Sequence, residues 1–146
     1  MSEQVQRIAL YLFGAFNAIL GAIMLVDPGW FFEHIGKYGV ENDHYIGDVG
    51  SFYLAAGLGG IMAARRPAWR VPICVVSAGW YLFHAINHLT DIGIAPSRAH
   101  GWSDTILLAI GAAAFALLAK AAHDDQQAAG GPAPIPERRP DYPPGD

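Results

Sequence analysis

The chain has 146 residues, enough for one domain, and a formal net charge of −4 at pH 7. Hydrophobic residues make up 53% of it and charged residues only 15%, against about 25% charged in an average soluble domain. Because no basic patch is interleaved with aromatic residues, nucleic acid is excluded as an expected partner. The one cysteine, Cys74, excludes an internal disulfide.

Four apolar runs alternate with polar or proline-containing stretches. At about 1.5 Å per residue the first run reaches about 28 Å, close to the thickness of a bilayer core. It is longer than the core of a signal peptide, so we interpret it as a retained helix. Backbone groups in lipid must be paired internally, which favours helices. We therefore predict an all-α integral membrane four-helix bundle over residues 1–122, with spans at 8–26, 48–64, 71–89 and 104–122.

The connecting segments carry their own signals. Aromatic residues directly after the first span favour a short interfacial helix over residues 29–36. Ser103 or Asp104 is the expected N-cap of the fourth span. The proline-rich tail, residues 123–146, is expected to be disordered and cytoplasmic. Four aromatic residues are expected to anchor helix ends at the membrane interface: Trp69, Trp80, Tyr81 and Trp102.

Small residues recur at helical spacing in two spans and predict close helix packing there. Asn17, the one polar residue near the middle of the first span, is expected to bond to another helix. The seam in the first span consists of Gly14, Ala18, Gly21 and Ala22, and the seam in the fourth of Gly111, Ala112 and Ala116.

The basic residues predict an orientation. If there are four spans, only Lys37 and Arg98 fall on one side. The other side holds Arg7, Arg65, Arg66, Arg70, Lys120, Arg138 and Arg139. Since basic residues concentrate on the cytoplasmic side, both termini are predicted to lie in the cytoplasm, with the chain crossing the cell (inner or plasma) membrane.

The third span carries a polar stripe along one helical face. Residues four apart lie on the same side of a helix, and the remaining positions of this span are apolar. In a bilayer such a stripe must face protein or water, and its ionisable groups are candidates for a functional site. The stripe consists of Cys74, Ser77, Tyr81, His84, His88 and Asp91.

Three ionisable pairs with i,i+4 spacing fall at the outer ends of the second, third and fourth spans. If the helices form a bundle, these pairs are expected to converge, as metal and cofactor sites of helix bundles do. Asp91 and His34 are expected to lie close by. The pairs are His44/Asp48, His84/His88 and His100/Asp104.

This cluster fits several chemistries. Imidazoles and carboxylates suit Zn, Fe or Cu, and the predicted ligands are His84, His88, His44 and Asp48. Other options are a b-type haem held by His84 and His44, and proton handling. The residues expected to support the metal or haem site are Asp91, His100, Asp104, Tyr81 and Asn17. The alternative is a structural or accessory membrane subunit whose polar cluster only stabilises the bundle.

Four short motifs mark the ends and starts of the first three spans: Asn17-x-x-x-Gly21, Asp27-Pro28, Ile46-Gly47-Asp48-x-Gly50 and Arg66-Pro67. In these motifs the chain resembles the DoxX-like and DUF4345-like families of small bacterial membrane proteins. The resemblance covers about residues 5–122 and implies four membrane helices. Because these families are mostly uncharacterised, it implies no activity. The expected partners are the lipid bilayer and either a second copy or another membrane protein.

Overall fold

The structure is a computed structural model that describes residues 1–130, and over this range the chain is all-helical without strands. Because the last helix continues to Ala128, the prediction of disorder was wrong for residues 123–128. Residues 131–146 of the predicted tail lie outside the described residues. The helices are α1 (Glu3–Val26), α2 (Pro28–His34), α3 (Asp43–Arg65), a 3-10 turn (Pro67–Trp69), α4 (Arg70–Thr90) and α5 (Arg98–Ala128).

Three helices are long and apolar enough to cross a membrane: α1, α3 and α5. This confirms the apolar, helical character that the composition predicts for a membrane protein. At 21 residues, α4 would reach about 31 Å. Its polar stripe lowers its mean hydropathy, however, so its passage through the bilayer stays a prediction.

The polar residues before each helix decide where it begins. Asp27 accepts from the backbone N–H of Trp30 at 3.0 Å, which starts α2 and confirms the short helix expected after the first span. Ser97 accepts from the backbone N–H of His100 at 3.1 Å and starts α5. The N-cap predicted at Ser103 or Asp104 was therefore wrong by about two turns, because Ser97 caps the helix first.

The long helices associate as two pairs, and α1 packs along α3 through small residues. An ideal Cβ on Gly21 would lie 2.5 Å from the backbone nitrogen of Leu54, and one on Gly57 would lie 2.4 Å from that of Ala18. No side chain fits at these points, since the two backbones are in direct contact. The seam predicted in the first span is thus confirmed, with glycines of α3 as its partner.

The second pair, α4 with α5, packs a large side chain over a small one. A Cβ on Gly111 would lie 2.6 Å from the Tyr81 ring, which also packs 5.5 Å from the Phe115 ring between centroids. Tyr81 is half-buried against the core cluster that contains Leu10, Cys74 and Phe115. Tyr81 is therefore an interior residue, and its prediction as an interfacial anchor was wrong.

Polar contacts join the two pairs at the end that holds the start of α1 and the end of α5, here called the arginine end. Arg70 is only 4% exposed. Its Nη2 lies 3.2 Å from Oε1 of Glu3, and its Nε donates to the carbonyl of Ala63 at 3.4 Å. The fully buried Gln6 donates to Asp125 at 2.7 Å. These contacts connect α1 to α4 and α5, and α4 to α3.

Candidate functional site

The polar stripe of α4 faces the protein interior, as its spacing predicts. Cys74 is 0% and Ser77 6% exposed, whereas the intervening Val76 is 62% and Phe83 70% exposed. The polar face continues towards the opposite end of the molecule, which holds α2, the start of α3, the end of α4 and the start of α5. We call this the histidine end.

His84 and His88 form a close pair at the histidine end. Their Nε2 atoms are 3.1 Å apart. A hydrogen bond at this distance requires one Nε2 to carry a proton and the other to accept it, so at least one ring is neutral. Both Nδ1 atoms are buried, and neither has a hydrogen-bond partner within residues 1–130. Buried polar atoms without partners are uncommon and lower the stability of a fold, so stability alone does not explain why the two histidines are placed here.

Tyr38, from the loop between α2 and α3, connects the histidines to α5. Its ring meets that of His88 edge-on at 4.5 Å between centroids, and its hydroxyl donates to Oδ2 of Asp104 at 2.9 Å. Burial, the hydrogen bond to Asp104 and the charges of Asp104 and Asp91 raise the pKa of Tyr38 to about 12. Tyr38 was not predicted as a site residue, because its only signal in the sequence is an aromatic residue in the glycine-flanked segment Gly36–Gly39.

Two carboxylates complete the polar part of the site. Asp104 has the Tyr38 hydroxyl and, at 3.3 Å, Nε2 of His100 as neighbours. Asp91 accepts from the side-chain amide of Asn87 at 3.2 Å. Within the described chain, neither carboxylate forms an ion pair with a lysine or arginine. Both are half-buried, so their negative charges are only partly hydrated.

The predicted pair at the start of α3 does not join this cluster. His44 and Asp48 lie 3.6 Å apart with side chains that are 81% and 65% exposed. The glycine seam explains why: Gly50 faces α1, and a residue two positions away on a helix points about 200° around the axis. His34 is exposed as well and stacks on Trp30 at 4.7 Å between centroids.

The predicted metal set is therefore assembled only in part. Of its four members the structure brings together His84 and His88. Among residues 1–130 no group of three His, Cys, Asp or Glu side chains is arranged to hold a metal ion. The structure also does not bring together His84 and His44, the two histidines predicted to hold a b-type haem, because the exposed His44 side chain faces away from the cluster.

A cavity of about 770 Å³ lies between the two helix pairs beside this cluster. It is open to the outside, and some of its lining residues, such as Phe16 and Tyr45, are more than half exposed. Its volume falls in the range of about 300–1,000 Å³ that is typical of small-molecule sites. The wall formed by α1, α2 and α3 is mainly apolar and aromatic, and the wall formed by the loop, α4 and α5 carries the polar groups. The apolar wall includes Phe16, Leu20, Met24, Phe31, Ile46 and Val49, and the polar wall includes Tyr38, His84, Asn87, His88, Asp91 and Asp104.

Two predicted supporting residues lie deeper. Asn17 is 1% exposed and lines a smaller cavity of about 190 Å³ together with Ser77. Its amide nitrogen donates at 2.9 Å to the carbonyl of Phe13 in its own helix. Its side chain is also a hydrogen-bond neighbour of the Tyr81 hydroxyl on α4, in agreement with the predicted bond to another helix. Tyr81 borders both cavities, so it separates the core from the histidine end.

No protein-family model matches this chain, and neither a curated protein nor a solved structure matches it. The function must therefore be inferred from the geometry of the site.

Proposed function

We propose that this protein is an integral membrane protein with four spans that binds a small lipophilic molecule in the large cavity at the histidine end. Three candidate spans and an α4 of comparable length support the four crossings. The concentration of basic residues at the arginine end supports a cytoplasmic position for that end and for both termini. The cavity then lies near the outer membrane surface.

The observation that carries this proposal is the cavity itself, with its apolar and polar walls. A molecule with an apolar body and a polar head would bury its body against Leu20 and Val49. At about 25 cal/mol per Å² of apolar surface, this burial supplies most of the affinity in an aqueous reference state. The head would meet the polar wall, which includes His84, Asn87 and His88.

A photolabelling experiment tests this binding. The protein is placed in phosphatidylcholine nanodiscs and exposed to a neutral long-chain alcohol that carries a diazirine. Peptide mapping should locate the label on residues that line the cavity, such as Tyr53 and Leu108, and excess unlabelled dodecanol should compete it away. Labelling that is confined to lipid-facing residues such as Phe83 and does not saturate would contradict the proposal.

Two neighbouring residues of α1 supply a matched pair of variants. Leu20 lines the cavity, whereas Ile19 is 62% exposed on the outer face. Leu20→Trp should fill the cavity and abolish saturable labelling. Ile19→Trp adds the same side chain one residue away and should leave labelling unchanged, provided that circular dichroism shows both variants to be folded.

A transition metal is a second candidate ligand. The Nε2 atoms of His84 and His88 are 3.1 Å apart, close to the separation of two imidazoles bound to one ion at about 2.0–2.1 Å. The missing ligands would have to come from the bound molecule or from water. Near-stoichiometric Zn, Fe or Cu in protein purified without a His-tag, lost in His84→Ala, would support this candidate. Protein that stays metal-free after incubation with these ions would exclude it.

A further inference from the structure

The charge of the cavity lining restricts the chemistry of its ligand. Asp91 and Asp104 border the cavity, and no lysine or arginine of residues 1–130 does. Their polar neighbours are the Asn87 amide, the Tyr38 hydroxyl and the His100 ring. Two negative charges thus lie beside a largely apolar space without a fixed positive charge within ion-pair distance in residues 1–130.

We infer that the ligand is a cation, namely an ammonium head on an apolar tail. This inference rests on the proposed function of the cavity. A half-buried carboxylate without a counter-ion is costly, and a cation at short distance in a low dielectric offsets this cost. An anionic head, such as that of a fatty acid, would instead meet two like charges, and no lysine or arginine of residues 1–130 lines the cavity to offset them.

The aromatic lining supports the same chemistry. Tyr38 in the polar wall and Tyr45 and Phe31 opposite it line the cavity. The faces of aromatic rings carry partial negative charge and attract cations. The carboxylates of Asp91 and Asp104 accept hydrogen bonds from an ammonium N–H but offer nothing to an acceptor-only head. Carboxylates and aromatic rings therefore favour the same kind of head group.

A series of ligands with one tail and three heads tests the charge. Dodecylammonium, dodecanol and dodecyl sulfate, each below its micellar concentration, compete with the diazirine alcohol in phosphatidylcholine nanodiscs, whose surface carries no net charge. We expect dodecylammonium to compete about tenfold more strongly than dodecanol, and dodecyl sulfate to compete least. The free concentration of each competitor is measured, so that partitioning into lipid does not bias the ranking.

Charge-neutralising variants locate the effect. Asp91→Asn and Asp104→Asn keep the size and a hydrogen-bond acceptor for Tyr38 or Asn87, so the site should stay folded. Each should reduce the preference for ammonium over alcohol, and the double variant should remove it. Glu33→Gln removes an exposed charge at the same end and should leave the preference intact. A reduction by Glu33→Gln equal to that by Asp104→Asn would indicate a surface potential and overturn the inference.

The outcomes separate this inference from the proposed function. If all three heads compete equally, or dodecyl sulfate competes best, the cavity binds lipophilic molecules but the cation inference is wrong. If none of the three dodecyl compounds competes with the diazirine alcohol, and the Leu20→Trp variant is labelled as strongly as wild type, both the cation inference and the proposed function are wrong. Preference for ammonium that depends on Asp91 and Asp104 supports both.

Discussion

The two ends of the molecule treat their polar groups differently. At the arginine end, the buried Arg70 pairs with Glu3 and a helix-terminal carbonyl, and the Gln6 amide nitrogen pairs with Asp125, although the Gln6 Oε1 atom has no partner in the described chain. At the histidine end, both Nδ1 atoms of the His84/His88 pair lack partners in the described chain, and neither carboxylate has a lysine or arginine partner there. The polar side chains of the histidine end, unlike the ion pair of Arg70 with Glu3, border the large cavity and are available to a ligand.

The first and largest prediction concerns the arginine end. Arg70→Met should destabilise the fold by about 1–3 kcal/mol, because it leaves the carbonyl of Ala63 at the end of α3 without its partner. The Glu3 side chain is 65% exposed, so the ion pair itself contributes less, owing to screening by water. Thermal unfolding in detergent, followed by circular dichroism, measures the effect.

The neighbouring Arg66 provides the control. It is exposed, and Arg66→Met removes the same charge from the same end without removing a buried contact. Equal losses in the two variants would show that net charge, and not the buried pairing of Arg70, stabilises this end.

Features that depend on helical periodicity could be predicted from the sequence. The stripe on α4 and the glycine seam on α1 were predictable because the helical period alone fixes which residues share a face. The exposed position of His44 and Asp48 was predictable in principle, since Gly50 had been recognised as part of a motif and Asp48 lies two residues before it. What was missed was that the close packing of Gly50 decides which face of α3 turns inwards.

Other features depend on loop paths, which no periodicity encodes. Tyr38 reaches Asp104 across 66 positions of sequence, and nothing in its local segment specifies that partner. The start of α5 at Arg98 depended on which of several capping residues acts first along the chain. The cavity arises from the arrangement of the two helix pairs, which contact each other much less than the helices within each pair do.

The second prediction uses Tyr38 to test how the histidine end is closed. The pKa of Tyr38 is raised to about 12 from 10.0, so its contribution to stability is fully present below pH 10 and is lost as pH rises through 12. Tyr38→Phe should cost about 1 kcal/mol through the lost hydrogen bond. The ultraviolet difference titration between wild type and Tyr38→Phe should show a phenol that ionises near pH 12.

Asp104→Asn sharpens this test. Removing the carboxylate charge should move the ionisation of Tyr38 towards pH 10, but not fully, because burial is the largest cause of the raised pKa. A difference titration centred at pH 10 in wild type would show that Tyr38 is not held against Asp104 and that the loop leaves the cavity open.

The last and smallest effect on stability is expected from the histidine pair. His84→Leu combined with His88→Leu removes both partners of one hydrogen bond and both unpaired Nδ1 atoms at similar volume, so stability should change by less than about 1 kcal/mol. Ligand binding, or bound metal, should be lost at the same time. If the pair only holds the helices together, the double variant should instead lose stability as Arg70→Met does, with no change in what the protein binds. Thermal unfolding and photolabelling of one preparation therefore distinguish a structural from a binding role, because the two roles predict opposite changes in the two measurements.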